Sequence, residues 1–182
     1  MCERPGRKRI LRSTKGIPVI ADEDAYSQNK ASERARKINT INPDIKFNIW
    51  HDQHYQIRKQ FGDEAGERIG INSIFVESLV QRLMSHLVCY STILKNFNFV
   101  NFSNPESRAI RVVLQEETKE EMLNVVIEVH FIDITTFEVT IKTAMCSDSF
   151  RLSDGQFAIE LIQNESVLKK MERGSVIEIY SL

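Results

Sequence analysis

Between residues 73 and 90 the apolar side chains fall three and four apart: Phe75, Val76, Leu79, Val80, Leu83, Met84, Leu87 and Val88. That spacing puts them on one face and predicts an amphipathic helix docked on a core. Its other face, with Glu77, Ser78, Gln81, Arg82, Ser85 and His86, is expected to be solvated. An Asn- and Phe-rich stretch over residues 96–105 reads as a loop, and beyond it the period changes to two. Ile110, Val112 and Leu114 share one face, as do Leu123, Val125, Ile127, Val129 and Phe131, and then Phe137, Val139, Ile141, Thr143 and Met145. Strict alternation marks half-buried strands, and the short polar links suit antiparallel hairpins. Residues 156–162 read as a fourth strand and residues 176–180 as a fifth after Arg173-Gly174.

Upstream, Asp52 can cap a helix in which Ile57, Phe61 and Ala65 recur every four residues. Residues 45–50 form a short extended segment carrying the sole Trp. Residues 24–38 favour a second, largely exposed helix, and Gly16 to Ile20 a short strand. The expected fold class is α+β, with two to three helices packed on one face of an antiparallel sheet of three to five strands.

Charge changes the picture at the N-terminus. Residues 1–40 hold 10 Lys/Arg and 5 Asp/Glu (+5); the whole chain holds 24 and 25, which leaves 14 and 20 (−6) for residues 41–182. Residues 1–23 therefore read as a basic tail, and residues 24–182 as a single domain. Apolar runs are broken well short of the roughly 18 residues a membrane span needs, and Arg12 interrupts what a secretory signal would keep apolar. Three scattered cysteines without a CxxC pair suggest neither a disulfide framework nor a zinc knuckle, so a reducing cytoplasm is expected, and Cys89 and Cys146 read as core residues.

Two clusters could carry chemistry. The polar faces of the predicted strands hold Arg111, Glu128, His130, Thr140 and Lys142, and a tight turn would set Glu128 near Lys142 and His130 near Thr140. A carboxylate, an imidazole and cations on one surface suffice for acid/base work beside an anion. A solvated sheet face calls for the same alternation, with cross-strand pairs contributing about 0.2–1 kcal/mol each. The second cluster is His51-Asp52-x-His54 with Arg58. His54 and Arg58, four apart on a helix, project to one side and could hold a phosphate while the imidazole moves a proton. His51, Asp52 and His54 are also metal-ligand types, but nothing nearby in sequence completes a site, so no metal and no cofactor is expected.

In this order of elements, His54-x-x-x-Arg58, the Gly70-Ile71 turn, the amphipathic helix and the strand meander, residues 51–146 resemble the barnase–EndoU–RelE-like group of small ribonuclease toxins. The resemblance implies metal-independent RNA cleavage, with His54, Arg58, His130 and Glu128 in catalytic places and Arg111 and Lys142 binding RNA. The acidic body and the unmatched N-terminal extension point instead to a protein that acts by binding a macromolecular partner, of inhibitor or immunity type. That reading comes first and the toxin-system ribonuclease is the alternative. The observation that separates them is whether His54, Arg58, His130 and Lys142 converge in one concave site.

Overall fold

The computed structural model describes residues 44–61, 71–102, 108–119 and 121–182, besides Gln28 and Lys30. The elements belong to a unit spanning residues 43–182. In chain order they are β1 (Lys46–His51), α1 (Gln53–Phe61), α2 (Ser73–Ile93), β2 (Val100–Asn101), β3 (Val112–Glu117), β4 (Met122–Asp133), β5 (Thr136–Cys146), β6 (Phe157–Ile162), β7 (Glu165–Glu172) and β8 (Ser175–Ser181). The expected basic tail, the strand at 16–20 and the helix at 24–38 lie outside the described residues.

The helix α2 forms where the three-and-four spacing placed it. Asn72 caps it, its side chain accepting from the Ile74 N–H at 2.9 Å. Val76, Leu79, Val80, Leu83, Met84, Leu87 and Tyr90 are buried, in one cluster with Leu114, Val125, Ile127, Ile141, Ile159 and Leu168 of the sheet. Phe75, 65% exposed, and Cys89 fall off the buried stripe, whereas Cys146 packs against the core. In α1 the expected apolar face is overturned: Ile57 and Phe61 are exposed and Tyr55 is the buried anchor.

The sheet corrects the expected fold class. It has eight strands, not three to five, and its pairing is mixed rather than antiparallel, in the order β1-β5-β4-β3-β6-β7-β8 with β2 beside β4. The β3–β4–β5 meander is antiparallel as the hairpin links required, but β1 joins β5, β2 joins β4 and β6 joins β3 in parallel. Parallel pairs leave no hairpin signal in the sequence, because their partners are joined by long connections. A further strand, β7, carries no clean alternation to predict it: Ser166, fully buried, stands where alternation calls for an apolar residue. The β7–β8 turn behaves as Arg173-Gly174 suggests, with φ of 51° and 83°, the pair of positive angles a tight two-residue hairpin needs.

Two departures in register set up the site. The β4–β5 turn closes at Asp133 and Thr136, with the Asp133 carboxylate accepting from the Thr135 N–H at 2.9 Å, so Glu128 faces Thr140 and His130 faces Glu138. The expected partners were two residues off, a shift that keeps every side chain on its face. A bulge then interrupts β5, where Val126 pairs with Thr143 but Ile127 with Ile141. One extra residue reverses the alternation beyond it, so Ala144 enters the core while Thr143 and Met145, expected on the buried face, line a cavity on the other side.

Strands β5 and β6 run the same way with β4 and β3 between them, so residues 147–156 must carry the chain back across the sheet face that α2 leaves open. Phe150 and Leu152 anchor that crossing on Val113, Val126 and Ala158. The open face is thereby part covered.

Candidate functional site

A cavity of about 780 Å³ lies against this face, walled by the crossover, by α1 and its cap, and by the strands. Each wall contributes charge. From α1 come His54 and Arg58, one turn apart on one side of the helix, and from the cap comes Asp52. Asp52 accepts from the His54 backbone N–H at 2.8 Å and takes a second hydrogen bond from Lys142 of the β5 bulge. The Lys142 ammonium and that N–H hold the Asp52 carboxyl below the usual carboxylate range, so it is ionised at neutral pH.

Asp52 also links the site to stability. A carboxyl whose pKa is lower folded than unfolded stabilises the fold above its ordinary value near 3.8, and the contribution is lost as pH falls through the lowered folded value. Asp52→Asn keeps a side-chain cap but loses the charge. The unfolding free energy of wild type should exceed that of the variant above about pH 5, and the two should draw together as pH drops below 4. A gap that widens on acidification would contradict the pairing.

Arg111 lines the same cavity and donates through Nε to Glu128 Oε1 at 2.7 Å. Glu128 also stands 3.6 Å from His130 Nε2, which makes the carboxylate a bridge between two basic groups rather than a free base. Four residues singled out from sequence, His54, Arg58, Arg111 and Lys142, thus meet in one concavity. Glu128 and His130 stand behind Arg111 and are not part of its wall.

Sequence reasoning missed two further cations, Arg108 and Arg151. The signal for Arg151 was present: Phe150 and Leu152 are two apart and both point into the sheet, which turns the residue between them outward. Arg58, Arg108 and Arg151 are exposed and make no hydrogen bond or ion pair with the described residues. Among the described residues, these three guanidiniums beside the paired Arg111 and Lys142 outnumber the carboxylates that line the cavity, Asp52 and Asp154. The Thr143 hydroxyl in the same wall is buried without a hydrogen-bond partner among the described residues.

Other groupings do not assemble. His51 turns away to Tyr55, Gln56 and Glu77: Gln56 Nε2 donates to its Nδ1 at 2.7 Å and Glu77 Oε1 lies 3.4 Å from its Nε2. His51, Asp52 and His54 therefore diverge, and among the described residues no group of three His, Cys, Asp or Glu is placed to hold a metal. On the helical side His86 Nδ1 lies 2.8 Å from Ser166 Oγ, a distance a hydrolytic dyad would show. Ser166 is fully buried and also accepts from the Tyr90 hydroxyl at its carbonyl, 2.7 Å away, so the trio ties α2 to β7 where no substrate reaches. No helix among the described residues is long and apolar enough to cross a membrane.

The chain matches no protein-family model, and neither a curated protein nor a solved structure shows significant similarity to it.

Proposed function

We propose that residues 43–182 form an RNA-binding domain whose cationic cleft holds backbone phosphates. The observation that supports this is the convergence of five cations from four separate segments, Arg58, Arg108, Arg111, Lys142 and Arg151, on one cavity of a body that is otherwise acidic. Bringing like charges together in a fold costs repulsion, which a polyanion offsets. Guanidiniums suit phosphate because their planar fork of donors matches its oxygens. A basic protein partner, the kind an acidic body would mask, would be repelled at this face. The test is the affinity for a single-stranded 2′-O-methyl RNA as salt is raised: binding through phosphates weakens linearly on a log–log plot, and salt-independent or absent binding would remove the proposal.

His54 favours a second, stronger reading, metal-independent cleavage. Its imidazole is the one histidine side chain in the cavity wall among the described residues, on the same helix side as Arg58. In this reading it takes the proton of a ribose 2′-hydroxyl, whose oxygen attacks the adjacent phosphorus. The bond to the 5′-oxygen breaks, leaving a 2′,3′-cyclic phosphate, and the departing oxygen takes its proton from water. Arg58, Arg111 and Lys142 oppose the charge gathering on the phosphate oxygens. Purified protein should then cut unmodified single-stranded RNA in excess chelator, and His54→Ala should slow cleavage by about 10²–10⁴-fold while retaining binding. Intact RNA after long incubation would end the catalytic reading and leave the binding one standing.

A further inference from the structure

Among the described residues strand β1 lies at the edge of the sheet, paired with β5 alone. Its residues alternate cleanly: Phe47 and Ile49 pack against the core cluster, which turns Lys46, Asn48 and Trp50 to the opposite face. That is the face of the cleft. Trp50 faces Thr140 of β5, Thr140 faces Glu128 of β4, and Glu128 holds Arg111, which lines the cavity. From Trp50 to Glu128 is two strand spacings, about 10 Å. Two residues beyond Trp50 the chain reaches Asp52, which fixes Lys142 and caps the helix presenting His54 and Arg58.

Trp50 is 56% exposed. Tryptophan is highly buried on average, and here a large flat ring stands in water on the same sheet face as the cleft, two strands from the Glu128 that holds Arg111. Rings so placed beside a backbone-tracking positive groove suit single-stranded nucleic acid, because each base has a face to stack and each phosphate a charge to pair. The cations named above supply the charge complement, and β1 supplies the platform.

Resting on the cleft reading, we infer that Trp50 is a base-stacking platform, and that the ligand of this face is single-stranded RNA laid with phosphates over the arginines and an adjoining base on the indole. The site thus selects a strand with an unpaired base over a bare polyphosphate.

Trp50 is the only tryptophan in the chain, so its fluorescence reports on this site alone. The experiment titrates the protein with a 2′-O-methyl uridine hexanucleotide and, separately, with inorganic tripolyphosphate, following both binding and indole emission. The expected result is that both bind, that the hexanucleotide alone quenches Trp50, and that Trp50→Ala weakens the hexanucleotide roughly 5- to 100-fold while leaving tripolyphosphate affinity unchanged. Trp50→Phe, which keeps a stacking face, should recover most of the loss. Hexanucleotide binding without quenching, and unaltered in Trp50→Ala, would overturn the inference and leave the cationic cleft intact. Equal loss of both ligands in Trp50→Ala would also overturn it, because the ring would then act on the cleft and not on a base. Failure of both ligands to bind the wild-type protein would remove the cleft reading, and this inference with it.

Discussion

Replacing Leu83 by alanine is expected to cost about 2–5 kcal/mol of unfolding free energy. Leu83 lies mid-helix in α2, fully buried, in the same cluster as Leu114, Val125 and Ile141, the residues through which the helix grips the sheet. Truncation removes the transfer free energy of the lost methyl groups and leaves a cavity that neighbours on a rigid sheet cannot readily fill. Against a typical total of about 5–15 kcal/mol this is a large share, and the melting temperature should fall by roughly 5–20 °C. Ile74→Ala is the control on the same helix. Ile74 is 70% exposed, and its truncation should change stability by no more than about 0.5 kcal/mol. Denaturant unfolding of both variants measures the contrast, and equal losses would mean that α2 presents a different face to the sheet.

The second large effect concerns binding. Arg58, Arg108 and Arg151 are exposed and unpaired among the described residues, so their joint replacement by alanine should leave the fold and its melting temperature nearly unchanged. If each neutralises one phosphate of a single strand, the slope of log affinity against log salt should shrink by about 2, three contacts at about 0.7 each. At about 0.1 M salt the same relation makes the affinity roughly 100-fold weaker. A triple variant that binds single-stranded RNA as wild type does would show that the cavity's charge is not used for phosphates. An equal loss on replacing three exposed lysines elsewhere would show a diffuse field and no site.

What could be read from sequence divides along physical lines. The helix α2 and the antiparallel β3–β4–β5 meander were legible because their information is local: a three-and-four spacing in one, alternation broken by short polar links in the other. The strands β1 and β6 were legible as extended segments, but their parallel pairing was not, since nothing near residues 46–51 specifies a partner at 136–141, and β2 lay within the stretch expected to be a loop; the expected sheet was accordingly too small and of the wrong kind. The strand β7 was hidden by the buried Ser166, whose place in the core depends on Tyr90 and His86 from a distant helix.

The site was legible in the same measure. His54 with Arg58, and Arg111 and Lys142 on the polar strand face, follow from helical and strand periods. That both pairs meet in one cavity depends on β1 joining β5, which brings the α1 cap to the Lys142 ammonium. Arg151 reaches the cavity only because a parallel β6 forces residues 147–156 over the sheet, and the bulge at Thr143 could not be seen in an unbroken alternation. Glu128 and His130 sit on the predicted face, but the ion pair to Arg111 holds Glu128 back from the cavity wall.

The proposed ligand, RNA, would occupy the face opposite α2. Backbone amide chemical shifts, recorded as a 2′-O-methyl RNA is titrated into the full chain, test it most directly. Perturbations are expected at Arg58, Arg108, Arg111, Lys142 and Arg151 and along the crossover at 150–156, with the exposed side of α2 and the β7–β8 hairpin unmoved. Perturbations centred on α2 or β8, with the cavity residues silent, would contradict it.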